Sequence, residues 1–287
     1  MESQMDFDDF PLSPSRAVDP VKYLAAYLEA QNILGRTAVA QRPERPDREL
    51  LSLTNQIYSR NQAGAPLFRA HRSAPAAGAA VWVSRVWSIA NWAVISGLAK
   101  DFAGLNLEFA RSIPRTSTSG DGIRSLERIL LERGIILVHE PSIPGTKVDG
   151  CVLRLATGHI AIGISLRYAR LDYYYFTLMH ELGHVHLHLD QLDTPIVDDL
   201  DHMDEDDHDD IELEANRFAR DMLIPRNEWR TATARTSLRQ DDVTAFAERI
   251  GVAPQIVAGR IRNEKKRHDL FSAVVHAVDI RELLVNA

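Results

Sequence analysis

The feature that most constrains this chain is a pair of histidines, four positions apart, with a glutamate directly after the first. His180, Glu181 and His184 form this pattern inside the segment 176–184. Residues four positions apart lie one above the other on a helix, so both imidazoles can bind one metal ion. Glu181 is rotated off that face, where it can hydrogen-bond a water on the metal and accept its proton. The pattern predicts the core of a zinc-dependent hydrolase on a single helix.

The residues around this pattern have the periodicity of a helix with one buried face. Its apolar positions recur at helical spacing: Tyr174, Tyr175, Leu178 and Leu182. The two histidines stand beside this stripe, where the floor of a cleft would lie. A motif this short also arises by chance in some chains, and its helical setting is what favours a metal site.

A second helix, over 211–225 and ended by Pro225, offers a third ligand. Its apolar positions repeat at three and four residues: Ala215, Phe218, Ala219, Met222 and Leu223. Glu212 precedes this stripe by three positions and shares its inward face, whereas Glu214 points toward solvent. Asn216 can hold a ligand histidine or the Glu212 carboxylate from behind. Two histidines and one glutamate leave a fourth position for water, which is typical of catalytic zinc sites. The alternative is that both glutamates are ordinary solvated carboxylates.

These segments together resemble the ImmA/IrrE family of metallopeptidases, which are of gluzincin type. That family has a His-Glu-x-x-His helix with a Leu-His pair, then Glu-x-x-Ala-Asn-x-Phe-Ala and a Leu-x-Pro ending. The corresponding segments here are 180–184, Leu187-His188, 212–219 and 223–225, and the resemblance covers roughly residues 120–265. The similarity is to the branch associated with HigA antitoxins and phage repressors.

The resemblance implies a role for each residue of the two motifs. It implies Zn²⁺ bound by His180, His184 and Glu212, with Glu181 as the catalytic base. It also implies a zinc metallo-endopeptidase whose protein substrate is a helix-turn-helix transcriptional repressor. The alternative is a non-proteolytic transcriptional regulator or antitoxin-like protein that binds DNA or a toxin, with DNA the less favoured partner. Arg167, Arg170, Tyr168 and His202 are the candidates for stabilising the oxyanion.

Composition and charge narrow the classes of protein that fit. The chain has 287 residues and a net charge of −7, which argues against nucleic-acid binding by the chain as a whole. The single cysteine, Cys151, excludes an internal disulfide and fits a reducing compartment. It reads as a small buried residue, with an inhibitory zinc thiolate as the alternative. Apolar runs are too short for a membrane helix, so we expect a cytoplasmic protein without a membrane partner.

Much of the negative charge lies between the two ligand helices. Residues 193–210 contain nine Asp and one Glu, together with His202 and His208, and no Lys or Arg. Such a block predicts a solvated, mobile loop. Because of its position, it can serve as a lid that favours basic partners, or as a weak secondary cation site.

The order of elements predicts an α+β fold. We expect a small mixed sheet, with strands at 135–138, 151–155 and 160–164, packed against the two ligand helices. The last of these strands precedes the metal helix and is expected to form a cleft wall to which a substrate adds as a further strand. A helical N-terminal extension and a helical C-terminal subdomain flank this unit.

The predicted regions have the following bounds. Residues 1–18 form a disordered tail, 19–115 a helical N-terminal region with a linker near 61–80, 116–240 the metallopeptidase domain and 241–287 the C-terminal subdomain. Within the N-terminal region we expect helices at 20–34, 50–58 and 81–110, and we find no helix-turn-helix signature in residues 1–115.

The C-terminal subdomain contains a second possible motif. Residues 241–263 read as two helices broken at Gly251 and followed by basic residues. This pattern resembles the first half of a helix-turn-helix with a DNA-contacting surface. The favoured interpretation is a helix pair that packs against the metal domain.

Overall fold

The computed structural model describes residues 19–35, 46–63, 69–70, 76–200 and 210–285. Within these ranges a five-stranded mixed sheet lies between two layers of helices. The predicted α+β class is confirmed, with helices before and after a small mixed sheet. The tail expected at residues 1–18 lies outside the described residues.

The described residues contain fourteen α-helices and five strands. The helices are α1 (Pro20–Gly35), α2 (Pro46–Ala63), α3 (Ala76–Ile95), α4 (Leu107–Ser112), α5 (Gly120–Arg124), α6 (Leu126–Leu131), α7 (Leu171–Leu187), α8 (Asp210–Leu223), α9 (Arg226–Arg230), α10 (Ala234–Ser237), α11 (Gln240–Ile250), α12 (Pro254–Lys265), α13 (Ser272–Val275) and α14 (Ile280–Val285). The strands are β1 (Arg69–Ala70), β2 (Ile135–His139), β3 (Gly150–Arg154), β4 (Ile160–Ile164) and β5 (Ile196–Asp198).

The strand order across the sheet is β1-β5-β3-β4-β2. Strand β3 is antiparallel to β4 and to β5, whereas the outer pairs, β2 with β4 and β1 with β5, are parallel. Strand β4 therefore has a partner on both edges, and its ladder hydrogen bonds are already made. The expectation that a substrate adds to this strand is wrong, because an added strand needs a free edge.

Side chains alternate between the two faces of the sheet, as the pleat requires. We call the face that packs against α7 the metal-side face; its apolar residues include Leu137, Val152, Ile160, Ile162 and Ile196. The opposite face packs against the N-terminal helices, and its residues include Ile136, Val138, Cys151, Leu153 and Val197. Each face belongs to its own hydrophobic core.

The N-terminal helices cover the opposite face. Asp19 caps α1, since its Oδ1 accepts hydrogen bonds from the amides of Val21 (3.0 Å) and Lys22 (3.2 Å). Helix α3 begins at Ala76, inside the segment expected as a linker, and it ends at Ile95 rather than continuing to residue 110. The chain turns there and becomes helical again at α4. No helix in the described ranges combines the length and the hydropathy needed to span a membrane.

Helix α7 is the centre of the metal-side layer. The stripe predicted at Tyr174, Tyr175, Leu178 and Leu182 is buried, as expected. Helix α8 approaches α7 so closely at Gly183 that an added Cβ would stand 3.1 Å from the Cα of Ala215. This contact between small residues brings the first turn of α8 next to the histidines.

The C-terminal helix pair packs against the metal-side layer. Helices α11 and α12 are separated at Gly251, whose positive φ of 73° suits a helix end. Buried residues of α12 join the core around α7: Ile256, Val257, Ala258 and Ile261. The packing role that we favoured for this pair is confirmed. One of the basic residues at the end of this pair, Arg262, is not available to contact DNA, because it is buried and donates to the carbonyl of Leu270 (3.0 Å).

Candidate metal centre

Four buried side chains converge between α7, α8 and the sheet. His180 and His184 come from α7, Glu212 from the first turn of α8, and Asp198 from the end of β5. One potential ligand atom from each lies within 4.8 Å of all the others. The sequence predicted the first three of these residues and missed Asp198. The group can hold a metal ion.

The distances within the group suit a single small cation. The two histidine Nε2 atoms are 3.0 Å apart, and the Glu212 carboxylate lies 3.1 Å from His180 and 3.5 Å from His184. Bonds of about 2.0–2.1 Å place neighbouring ligand atoms of a tetrahedral zinc about 3.3 Å apart. Oδ2 of Asp198 and Oε2 of Glu212 are buried and accept no hydrogen bond from a described residue. Such atoms are costly unless a cation lies among them.

The ring of His180 is oriented by α8. Its Nδ1 lies 3.2 Å from Oδ1 of Asn216, which accepts the hydrogen bond when that nitrogen carries the proton. Nε2 is then left with a lone pair that points into the group. The role of Asn216 behind a histidine, one of the two predicted for it, is confirmed.

The ring of His184 is oriented by a chain of two further side chains. Its Nδ1 lies 3.2 Å from Nδ1 of His188, and Nε2 of His188 lies 3.0 Å from Oε2 of Glu214. Both contacts are hydrogen bonds if His184 donates to His188 and His188 donates to Glu214. That assignment also leaves Nε2 of His184 free to bind a metal. Glu214 is exposed, as predicted, yet it belongs to the site through His188.

The close contacts between the carboxylates and the imidazoles shift the pKa values of both kinds of group. Burial by itself would raise the pKa of Glu212, but contact with the rings of His180 and His184 outweighs it and lowers the pKa. Burial likewise opposes the charged form of His180, yet Asp198 and Glu212 raise its pKa well above the ordinary value. The two carboxylates thus draw positive charge into the site. A metal cation satisfies the same demand.

Asp198 belongs to the acidic segment that we expected to be a solvated loop. That expectation is wrong for residues 196–199, all of which are buried. The apolar Ile196 faces the metal side and Val197 the opposite side, so alternation along β5 turns Asp198 toward the histidines. A three-residue strand gives only a faint alternation, so the sequence carries little signal for this residue. Residues 201–209, with His202 and His208 and the expected lid, lie outside the described residues.

Glu181 lies beside the group without joining it. It is completely buried, and neither carboxylate oxygen has a hydrogen-bond partner within the described ranges. An added Cβ on Gly150 would stand 2.1 Å from its Oε1, so the absence of a side chain on β3 makes room for the carboxylate. Burial, and then the charge of Asp198, raise the pKa of Glu181 well above its usual value.

The residues predicted as candidates for stabilising the oxyanion contact other side chains of the protein, apart from His202, which lies outside the described residues. Arg167 is bound to two buried carboxylates, Asp149 (3.0 Å) and Asp199 (3.3 Å). Arg170 pairs with Asp172. Tyr168 is partly exposed and packs edge-on against the ring of Tyr173, and His202 lies in the undescribed range. Both arginines are thus bound to carboxylates in this structure.

Cys151 is not one of the four residues that could hold a metal ion. It is buried in the core of the opposite face, where its Sγ lies close to Gly163, Trp82 and Val86. The interpretation as a small buried residue is supported, and the alternative of an inhibitory thiolate is not.

The fold and the site define a metallopeptidase-type protein, with a helix that carries two histidines and a glutamate beneath a mixed sheet. Residues 159–262 match the model of the Peptidase_M78 family, described as the IrrE N-terminal-like domain. Over these residues, the match supports the resemblance to the ImmA/IrrE family. The family is one of metal-dependent peptidases and implies a protein substrate. No match was found among curated proteins.

Proposed function

We propose that the chain is a zinc-dependent endopeptidase that cleaves a helix-turn-helix transcriptional repressor. The residues that would hold zinc are His180, His184 and Glu212. The donor set supports zinc, because two imidazoles and a carboxylate are characteristic of catalytic zinc sites. The repressor as substrate rests on the family resemblance of the two motifs.

The observation that carries the proposal is the carboxylate of Glu181. Burying a carboxylate without a hydrogen-bond partner destabilises a fold, and a module that only binds a partner gains nothing from it. A peptidase needs such a group next to the metal. Zinc, when bound, supplies a Lewis acid and lowers the pKa of a coordinated water to about 7.

The chain's own residues would divide the remaining work. Glu181 would accept the proton of the attacking water and return it to the leaving amine, so that the proton balance closes over one cleavage. Burial and the charge of Asp198 raise the pKa of Glu181, and a higher pKa makes its carboxylate a stronger base for the proton of the attacking water. Asn216 and His188 would hold the two imidazoles in place.

The test is incubation of the zinc-loaded protein with a candidate helix-turn-helix repressor, followed by mass spectrometry of the products. We expect one or a few cuts with the zinc-loaded protein, and a loss of about 10²–10⁴-fold with Glu181→Gln. Glu108→Gln, an exposed residue of α4, makes the same chemical change away from the site and should retain full activity. Equal cleavage by the wild type and Glu181→Gln would contradict the role given to this residue.

The second candidate function is a non-proteolytic regulator that keeps the metal fold. One observation favours it, namely a donor set of four protein side chains rather than three. A repressor that remains intact with the zinc-loaded wild type, but binds it tightly, would support this candidate.

A further inference from the structure

Asp198 stands where the fourth ligand of a metal would stand. Its Oδ2 lies 3.4 Å from Nε2 of His180 and 3.7 Å from Nε2 of His184. Both distances are close to the separation of about 3.3 Å expected between ligands of a tetrahedral zinc. The same atom is buried and accepts no hydrogen bond from the described residues. We propose that Asp198 is a fourth protein ligand, and that the described fold is a latent form of the enzyme.

Strand β5 holds this carboxylate in place on both sides. Gly150 of β3 pairs with Asp198, and the amide of Asp149 donates to the carbonyl of Asp198 (2.8 Å). On its other edge β5 pairs with β1, in the register Arg69 with Ile196. The position of Asp198 is therefore set by a sheet, and not by a free loop.

The next residue, Asp199, is also held in place by its neighbours. Asp199 is fully buried and binds Arg167, which also binds Asp149 at the start of β3. The amide of Leu200 donates to Oδ2 of the same Asp149 (2.8 Å). This arrangement of Arg167 with two carboxylates closes the end of β5 against β3 and keeps Asp198 turned toward the histidines.

Four protein ligands define a closed site. Structural zinc sites are closed in this way, whereas catalytic sites keep one position for water or substrate. The five residues of the centre, Glu181 included, are at most 7 % exposed, so the site is also shut to a polypeptide. This inference rests on the proposed function: a peptidase with this geometry must move Asp198 before it can act.

The edge of β5 that faces β1 is the weaker of its two pairings, since it joins only two residues. Strand β3 lies in the interior of the sheet, whereas β1 contributes two residues at its border. Loss of the short β1 pairing would leave β5 with one neighbour and the edge on which an extended peptide adds.

The experiment measures coordination rather than activity. The full chain is loaded with Co²⁺ in place of zinc and titrated with acetohydroxamate, a ligand that needs an open position on the metal. We expect the visible spectrum of the wild type to remain unchanged and that of Asp198→Ala to shift. Asp198→Ala should also bind Co²⁺ at least about tenfold more weakly, since even residues behind the ligands contribute about 10–100-fold.

Matched variants separate this effect from a change of charge or fold. Asp193→Asn, at an exposed position five residues earlier, should behave as the wild type. Asp198→Asn keeps the volume of the side chain and should shift in the same direction as Asp198→Ala, even if the alanine variant folds poorly by circular dichroism.

Two results distinguish the possible failures. A wild type that binds Co²⁺ through His180, His184 and Glu212, yet responds to acetohydroxamate at the same concentrations as Asp198→Ala, overturns the role of Asp198 alone. A wild type that takes up no Co²⁺, or that keeps it in His184→Ala, overturns the proposed function together with this inference.

Discussion

The two faces of the sheet differ in the kind of side chains that they bury. The opposite face meets α3 through apolar side chains such as Trp82, Val86 and Cys151, all fully buried. The metal-side face has an apolar core as well, but at one end it encloses His180 and Asp198 with three further ionisable groups. Apolar burial stabilises a fold without regard to direction, whereas buried charges stabilise it only with the right partners. One face therefore supports the fold by apolar packing alone, whereas the other holds charged groups that a metal cation would neutralise.

The largest effect expected is on the opposite face. Trp82 is fully buried, its ring packs over Gly163, and its Nε1 donates to the carbonyl of Glu140 (3.0 Å). Trp82→Ala should lower the free energy of unfolding by about 3–5 kcal/mol. Urea unfolding with zinc and with a chelator should give the same loss, because this face does not contact the metal centre.

The control for this change lies on the same helix. Trp92 is 62 % exposed, so Trp92→Ala should change the free energy of unfolding by no more than about 0.5 kcal/mol. If the loss in Trp82→Ala disappears when zinc is present, the two faces are coupled and the comparison is wrong.

Metal removal should have the next largest effect on the free energy of unfolding. The effect should come only from the loss of contacts at the metal-side face. A ligand present at 100 times its dissociation constant stabilises the folded state by about 2.7 kcal/mol. We expect the wild type to lose this amount when a chelator is added, as measured by urea unfolding. Trp82→Ala should lose the same amount, although it starts from a lower stability.

Replacement of a ligand should abolish that response. Glu212→Gln removes the charge and should lose most of the stabilisation by zinc, whereas Glu108→Gln should keep it. A zinc response that survives in Glu212→Gln would show that the stabilising metal is bound elsewhere.

The smallest effect concerns the residues behind the ligands. Asn216→Ala removes the acceptor for Nδ1 of His180 and should weaken zinc binding about 10–100-fold, equivalent to about 1.4–2.7 kcal/mol. Competition with a chromophoric chelator measures this change. Asn227→Ala, at an exposed position of α9, is the matched control. Equal affinities for the two variants would show that Asn216 does not orient the histidine.

The helical part of the site could be predicted because its information is local. His180 and His184 share a helix face by spacing alone, and Glu212 was assigned to the inward face by the apolar stripe that follows it. The structure brings these three residues together. The fold class was predictable for the same reason, since each helix and strand carries its own periodicity.

Asp198 could not be predicted with the same ease, because its burial depends on distant parts of the chain. Its segment has the composition of a solvated loop, and its three-residue strand is too short to show a clear alternation. Only the pairing of β5 with β3 and β1 makes it part of the core. The packing of α3 against the second face of the sheet also depends on contacts between distant segments, which local periodicity does not reveal.

The pairing of β1 with β5 also has a consequence for how the chain folds. Strands β3 and β4 form a hairpin with a short connection, and contacts of this kind form early. The parallel pair joins residues 69 and 196, so a long loop must close before it forms. We therefore expect β5 to dock late, after the hairpin is in place. During synthesis, a chain that has not reached residue 212 lacks the α8 carboxylate, so the proposed ligand set is complete only after about three quarters of the chain has been made.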